Sequence, residues 1–254
     1  LLRTAGIPWH LVGKGTNLIV RDGGIRGVVL HIGDAFSGIE IGEGSLVTAG
    51  AGASLSAVAN AAADAGLAGL EALSGIPGSV GGALFMNAGA YGREMSDIVH
   101  SAHVYDIFND NIITVNKEKM RLGYRVSAFQ ETGGILLHVT MALSADSPGA
   151  IRERMRDYRA RRDGKQPMGQ PSAGSFFKRP EGAYAGQLIE EAGLKGARQG
   201  GASVSEVHAG FIVNDGDASA ADVLLLMARV QQTVFEQSGI HLEPEPRIIG
   251  EDAG

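Results

Sequence analysis

Between Ser74 and Gly92 the chain reads SGIPGSVGGALFMNAGAYG, with four glycines and a proline inside Gly75–Gly82 and with Asn87, Gly89, Ala90 and Gly92 just beyond. No helix or strand period runs through it, so the segment is expected to form no regular element. A loop built only to connect two elements rarely needs so many small residues. Backbone that must lie close against a large flat ligand does need them. Glycine is abundant throughout, 38 of 254 residues, against a usual ~7%, and it shows no collagen period. Backbone amides bared by glycines are a common way to hold phosphates.

A second glycine turn, GKGTNLIV, runs from Gly13 to Val20. It is neither the phosphate-binding P-loop, which needs G-x-x-x-x-G-K-[ST], nor the dinucleotide fingerprint with its third glycine. Alone it reads best as a plain hairpin turn between two strands. Beside the Ser74–Gly92 stretch it points to one extended dinucleotide lying across the first part of the chain.

With 44% hydrophobic and 20% charged residues, the chain can build a core and is not a disordered polymer. It has no cysteine, which excludes disulfides, thiolate metal sites and cysteine nucleophiles and fits a reducing compartment. No apolar run reaches the ~18 residues of a membrane span. The start, LLRTAGIPWHLVGKG, lacks the order of a signal peptide and enters a motif almost at once, so an N-terminal piece is expected to be missing. Net charge is −6, which gives no global attraction to nucleic acid. Arg152–Lys165 departs from this: seven basic minus three acidic residues make it +4, leaving −10 elsewhere. With Tyr158 its single aromatic, that segment reads as the solvated face of a helix, with a part that could steer an anionic substrate.

Short strands with glycine turns are expected over residues 9–50 in WHLVG, NLIV, GVVLHI, GIEI and LVTAG. Leu55, Val58, Ala59 and Ala62 then fall at helical spacing, with Ser54 to cap and Gly66 to stop. Strands follow at 99–107, 111–115 and 135–143. A helix is expected from Ile151 to about Arg162, another in YAGQLIEEAGL, a strand in HAGFIVN, a long helix from Ser219-x-x-Asp222 to Gly239, and a last strand in EPRIIG. The class is α+β. The expected division is residues 1–146, with subdomains of about 1–50 and 51–146, followed by 147–254.

Single residues stay ambiguous when read alone. The seven histidines form no metal set, and His100 and His103 are expected on opposite faces of one strand. Tyr124, Arg125 and Ser127 in RLGYRVSAF lie between strands, where an arginine is ordinarily a surface residue. Glu243 and Glu245 in LEPEPRIIG sit beside stiffening prolines, as a chain-end salt bridge or as an active-site acid. Ser175 in QPSAGSFFKRP lacks the G-x-S-x-G elbow of a hydrolase nucleophile.

Taken together and in order, GKGTNLIV, LSGIPGSVGGALFMNAGAYG, GYRVSAF, PSAGSFFKRP, HAGFIVN and LEPEPRIIG resemble the UDP-N-acetylenolpyruvoylglucosamine reductase (UDP-N-acetylmuramate dehydrogenase) family over nearly the whole chain. The resemblance implies an FAD-binding fold of the vanillyl-alcohol-oxidase (PCMH) type, its first subdomain truncated, plus a C-terminal α/β substrate-binding domain. It implies a cytoplasmic flavoenzyme of peptidoglycan synthesis in which NADPH reduces FAD, and the enolpyruvyl ether of UDP-N-acetylglucosamine is then reduced to UDP-N-acetylmuramate. FAD contacts fall on Gly13, Lys14, Gly15, Thr16, Asn17 and Leu18, and on Ser74, Gly75, Ile76, Pro77, Gly78, Ser79, Gly82, Ala83 and Asn87. The catalytic positions are Arg125, Ser175 and Glu245, with Tyr124 and Lys165 as substrate contacts and Lys165 at the diphosphate. The expected partner is the small-molecule substrate alone, with no metal, nucleic acid or membrane, on a monomer.

That chemistry explains the residue types. Hydride arriving at the enolpyruvyl methylene develops negative charge at the neighbouring carbon and its carboxylate. Arg125 supplies charge there, and protonated Glu245 a hydrogen bond. Ser175 then protonates carbon as general acid. The resemblance is to the shorter members, which lack an inserted tyrosine loop and so must cover the substrate another way. Two other readings compete: a different oxidoreductase of the same flavin fold, and a non-catalytic nucleotide-binding module.

Overall fold

A computed structural model describes all residues from Leu1 to Gly254. The chain forms two compact units, His10–Gly15 with Val29–Arg162, and Leu1–Trp9 with Thr16–Val28 and Asp163–Gly254.

The larger unit is built on a five-stranded antiparallel sheet. Its strands lie in the order Asn111–Asn116, Val99–Asp106, Ile135–Ala142, Leu46–Gly50 and Ile39–Ile41. These are the expected strands, and their alternation puts Val47, Val139 and Met141 fully inside. The helix Leu55–Asp64 lays Leu55, Val58, Ala59 and Ala62 into the same core, each large side chain contributing about 1.5–3 kcal/mol by burial. Ser54 caps it by accepting the Ala57 N–H at 3.1 Å, and Gly66 follows its end at φ +69°.

Two expectations change in this unit. The glycine-rich stretch is not irregular throughout: Val80–Phe85 is a short helix, and Gly89–Ala90 pairs with Arg93–Glu94 as a hairpin. Glycine is a poor helix former, but at Gly81 a Cβ would come within 2.8 Å of the Ala51 Cβ, so close packing overrides propensity. His100 and His103 are both exposed, not on opposite faces, because the register skips at His100, a bulge that breaks the two-residue alternation. A second register shift, between Leu136 and His138 on the facing strand, adjoins the pairing of His103 with His138, their rings edge to face at 6.2 Å.

The basic helix runs from Pro148 to Asp163, and all but its last residue belongs to the larger unit. It buries only Ile151 fully, packs Met155 against the core and Tyr158 against Tyr91 at 4.9 Å, and is also held by ion pairs: Arg152 with Asp64, and Arg154 with both Glu71 and Asp146 at 2.6 Å. These ties place the break between compact units at 162/163 rather than near 146. Glu71 is 8% exposed. Burial pushes its carboxyl up, but hydrogen bonds from Arg154 and from the Gly69 N–H outweigh this and hold it below the ordinary range.

The smaller unit carries a four-stranded antiparallel sheet in the order Ser172–Ser175, Phe211–Asn214, Ala202–Val204 and Arg198–Gln199. Helices Ala185–Glu191 and Ala220–Ser238 pack Ile189, Leu226 and Val230 into its core. The long helix opens with the expected Ser219/Asp222 capping box and ends at Gly239, φ +71°. Two further N–H groups at its start, of Ala220 and Ala221, are accepted by the Asp22 carboxylate at 2.7 and 2.9 Å. Leu18–Val20 runs parallel to Arg247–Ile249, and Ile19 is buried in the same core. A segment near the start of the chain is thus folded with its last ninety residues.

Candidate active site

The two glycine-rich loops meet within the larger unit. A Cβ on Gly13 would stand 2.6 Å from the Ser79 Oγ, so only glycine allows this approach. Ser79 is buried and caps the helix Val80–Phe85 by accepting the Gly82 N–H at 3.3 Å. Gly75, Pro77 and Gly82 are exposed, as are Lys14 and Gly15, and Gly15 takes φ +70°. Ser74, Ile76 and Gly78 are half-buried between them, and Ala83 packs inward. Three of these five exposed residues are glycines, which leaves backbone amides open to a flat, pyrophosphate-bearing cofactor such as FAD.

The motif GKGTNL is divided between the units: Gly13, Lys14 and Gly15 belong to the larger, Thr16, Asn17 and Leu18 to the smaller. In the smaller unit Asn17 acts on the chain's last strand. Its side-chain amide donates to the Glu245 carbonyl at 3.3 Å, and its own carbonyl accepts the Arg247 N–H at 3.0 Å.

Asn87 is buried at 0% exposure, and its side chain is committed inside the protein. Its Nδ2 donates to Glu94 Oε2 at 2.9 Å and to the Gly123 carbonyl at 2.8 Å, and its Oδ1 accepts the Ser96 N–H at 2.8 Å. Gly123 and Val126 exchange both backbone hydrogen bonds, at 3.0 and 3.1 Å, around Tyr124 and Arg125. Arg125 occupies this tight turn at φ +58°, a left-handed conformation that costs a non-glycine residue about 1–3 kcal/mol. Its guanidinium lies 4.7 Å from the Tyr124 ring centre and donates to the Gly89 carbonyl at 3.4 Å. Tyr124 is exposed and Arg125 half-buried.

In the smaller unit Ser175 ends a strand opposite Phe211 and is exposed. Gly174 before it takes φ +80°, and the register slips between Ser172 and Ser175. The chain leaving Ser175 pairs with the segment that carries Glu245. The Glu245 N–H donates to the Phe176 carbonyl at 3.0 Å, the Lys178 N–H to the Glu243 carbonyl at 2.8 Å, and Lys178 also forms an ion pair with the Glu243 side chain. Of the expected catalytic residues, Ser175 and Glu245 are therefore neighbours along paired main chain, while Arg125 stands in the other unit.

Lys165 acts on a residue that sequence reasoning passed over. His208 accepts the Gly210 N–H at Nδ1, 3.0 Å, so its Nε2 carries the proton. Its ring meets Phe211 edge to face at 5.2 Å. Burial first, then the cationic Lys195 and Lys165, push the imidazole below its ordinary pKa against the pull of Glu190. The signal available beforehand was slight: one histidine ahead of the Ala209–Gly210 turn, where a Cβ on Gly210 or Gly186 would fall 2.9 Å from the His208 Cε1. Gln130 was missed for the same reason, as an ordinary polar residue on a one-turn helix, Phe129–Thr132.

Residues 1–116 match the FAD binding domain model, and residues 166–249 match the model of the UDP-N-acetylenolpyruvoylglucosamine reductase C-terminal domain. The UDP-N-acetylenolpyruvoylglucosamine reductase of Clostridium botulinum strain Hall is 50% identical over 99% of this chain and 81% of its own length. That of Agathobacter rectalis is 48% identical over 99% of this chain and 83% of its own. The crystal structure of the Thermus caldophilus reductase superposes with a TM-score of 0.86 at 38% identity, covering 97% of this chain and 87% of that one. The chain belongs to the UDP-N-acetylenolpyruvoylglucosamine reductase family.

Proposed function

We propose that this protein reduces the enolpyruvyl ether of UDP-N-acetylglucosamine to UDP-N-acetylmuramate with FAD as cofactor and NADPH as hydride donor, in the cytoplasmic synthesis of peptidoglycan precursors. The observation that carries this is kinship across 99% of the chain at 50% identity with a reductase of that name. The meeting of the two glycine-rich loops supports FAD as cofactor, because Gly15, Gly75 and Gly82 are exposed there. No helix is long and apolar enough to cross a membrane, and the substrate is a water-soluble nucleotide sugar. The protein is read as a monomer.

Gly13–Leu18 and Ser74–Ser79, with Gly82, form the cofactor site, while the side chains of Ala83 and Asn87 are turned into the protein behind it. The chemistry FAD supplies when bound is hydride transfer. Arg125 holds the substrate carboxylate, where negative charge develops, and Tyr124 lies beside it. A fixed cation in a water-poor site stabilises that charge more than water does. Glu245 presents a carboxyl group to the same developing charge. Ser175 holds the proton that completes the new C–H bond. Lys165 binds the diphosphate.

A visible absorption spectrum of the purified protein tests the reading. A flavin spectrum that NADPH bleaches and the enolpyruvyl substrate restores is the expected result. Protein that stays colourless after reconstitution with FAD rules the reading out.

A further inference from the structure

Arg125 is held in a conformation its residue type disfavours, and the groups that fasten its turn are the side chains of Asn87 and Gln130. The turn Gly123–Val126 is fastened at both ends. At its start, the buried Asn87 donates to the Gly123 carbonyl at 2.8 Å. At Arg125 itself, the Gln130 Nε2 donates to the Arg125 carbonyl at 3.0 Å. The same Gln130 amide donates to the Phe85 carbonyl at 2.9 Å, where the Ser127 hydroxyl also donates at 2.6 Å. Phe85 is the last residue of the helix Val80–Phe85, which follows directly on the glycine-rich loop.

Asn87 closes that helix. It takes φ +42°, its N–H donates to the Leu84 carbonyl at 3.1 Å, and the Ala88 N–H reaches the Ala83 carbonyl at 2.7 Å. This is the paired bonding of a left-handed helix end, which asparagine tolerates better than most residues. A glycine would serve that backbone equally well. It would not supply the side chain that reaches Gly123, Glu94 and Ser96, so the asparagine answers a second demand.

We propose that Asn87 and Gln130 are positioning residues that lock the strained Tyr124–Arg125 turn to the helix end at Phe85, so that the Arg125 guanidinium is set before substrate arrives. This rests on the role given to Arg125 above. The strained φ is balanced by the hydrogen bonds that Asn87 and Gln130 make to the turn. A freely rotating arginine would lose rotamer freedom on meeting the carboxylate, and a pre-set one loses less.

The test uses the holoenzyme and follows reoxidation of pre-reduced flavin by the enolpyruvyl substrate in a single turnover. Gln130→Met keeps length and removes the donor. Asn87→Gly keeps the left-handed backbone and removes the side chain. Each is expected to slow reoxidation about 10–100-fold, the scale of an ångström-sized misplacement, while in Gln130→Met flavin reduction by NADPH stays near wild type. Against Arg125→Ala, the further loss on adding Gln130→Met is expected to vanish, as it must if Gln130 acts through Arg125. A crystal structure of Gln130→Met should show Arg125 displaced from φ +58°.

A folded Gln130→Met enzyme that reoxidises at the wild-type rate overturns the proposal. So do losses that multiply in the Arg125→Ala background. If Arg125→Ala alone leaves reoxidation intact, the role of Arg125 itself is wrong, and the positioning proposal goes with it. Should Asn87→Gly fail to fold, Gln130→Met decides alone.

Discussion

The Arg125 turn and the Ser175 strand end solve the same problem with different bonds. Arg125 is kept in place by side chains: Asn87 and Gln130 reach the carbonyls of its turn, and the turn is strained. Ser175 is kept in place by main chain, because the residues after it pair with Pro244 and Glu245, and Gly174 absorbs the left-handed backbone without strain. A side-chain lock can be removed by one substitution that leaves the backbone path alone. A main-chain lock cannot, since nearly every residue carries the same N–H and C=O. The larger unit is thus the more fragile under point mutation at its chemical residue, and the smaller unit the more tolerant around its own.

The largest expected effect is at the proposed proton donor. Ser175→Ala should slow reduction of the enolpyruvyl substrate by about 10²–10⁴ and leave both NADPH-driven flavin reduction and folding near wild type, as stopped-flow absorbance and thermal unfolding would show. A loss shared by both half-reactions would mean that the serine holds structure, and the contrast between the two regions would fall.

A smaller effect is expected at Arg154, another side-chain lock in the larger unit. Arg154→Ala leaves the buried Glu71 carboxylate without its partner and should lower stability by about 1–3 kcal/mol, read by denaturant unfolding. The sign with pH is definite. The native Glu71 carboxyl is held below its ordinary value despite burial, so its contribution is present above the unfolded carboxylate range of about 4.3. It is lost as pH falls through the lower native value. Arg154 supplies part of that lowering, so the gap between variant and wild type should close on acidification. A gap that widens in acid contradicts the assignment.

The smallest effect belongs to the main-chain-held region. Glu243→Ala removes the exposed ion pair to Lys178 but not the backbone bonds beside it, and should change stability by less than about 1 kcal/mol. A drop of several kcal/mol in unfolding experiments would show that this ion pair, and not the paired backbone, holds Ser175 beside Glu245.

How far each feature could be read in advance follows the range of the interaction behind it. The helix Leu55–Asp64 and the long helix from Ala220 were legible because apolar spacing, Ser54, the Ser219/Asp222 box and Gly239 all act within a few residues. The strand Ser172–Ser175 was not, since two serines, an alanine and a glycine carry no strand propensity, and only Phe211–Asn214 beside it makes it one. The helix Val80–Phe85 was hidden by its glycines, whose reason is the Ala51 side chain thirty residues away in sequence. The motifs named Arg125, Ser175 and Glu245. They gave no hint of Asn87 and Gln130 as fasteners, because an asparagine or glutamine that completes a distant carbonyl looks like any other.

By itself the sequence determined the α+β class, the family and the local helix signals. These rest on composition, on period and on ordered motifs, all of which survive without a fold. Tertiary structure alone decided that Thr16–Val28 folds with the C-terminal residues and that the basic helix falls, but for its last residue, in the larger unit. It also decided that Asp22 completes the start of a helix two hundred residues away and that Arg125 stands at a left-handed φ. The physical reason is common to all of them. Each depends on a buried or orphaned polar group finding its partner, and that partner is chosen by distance in space, which a linear chain does not record.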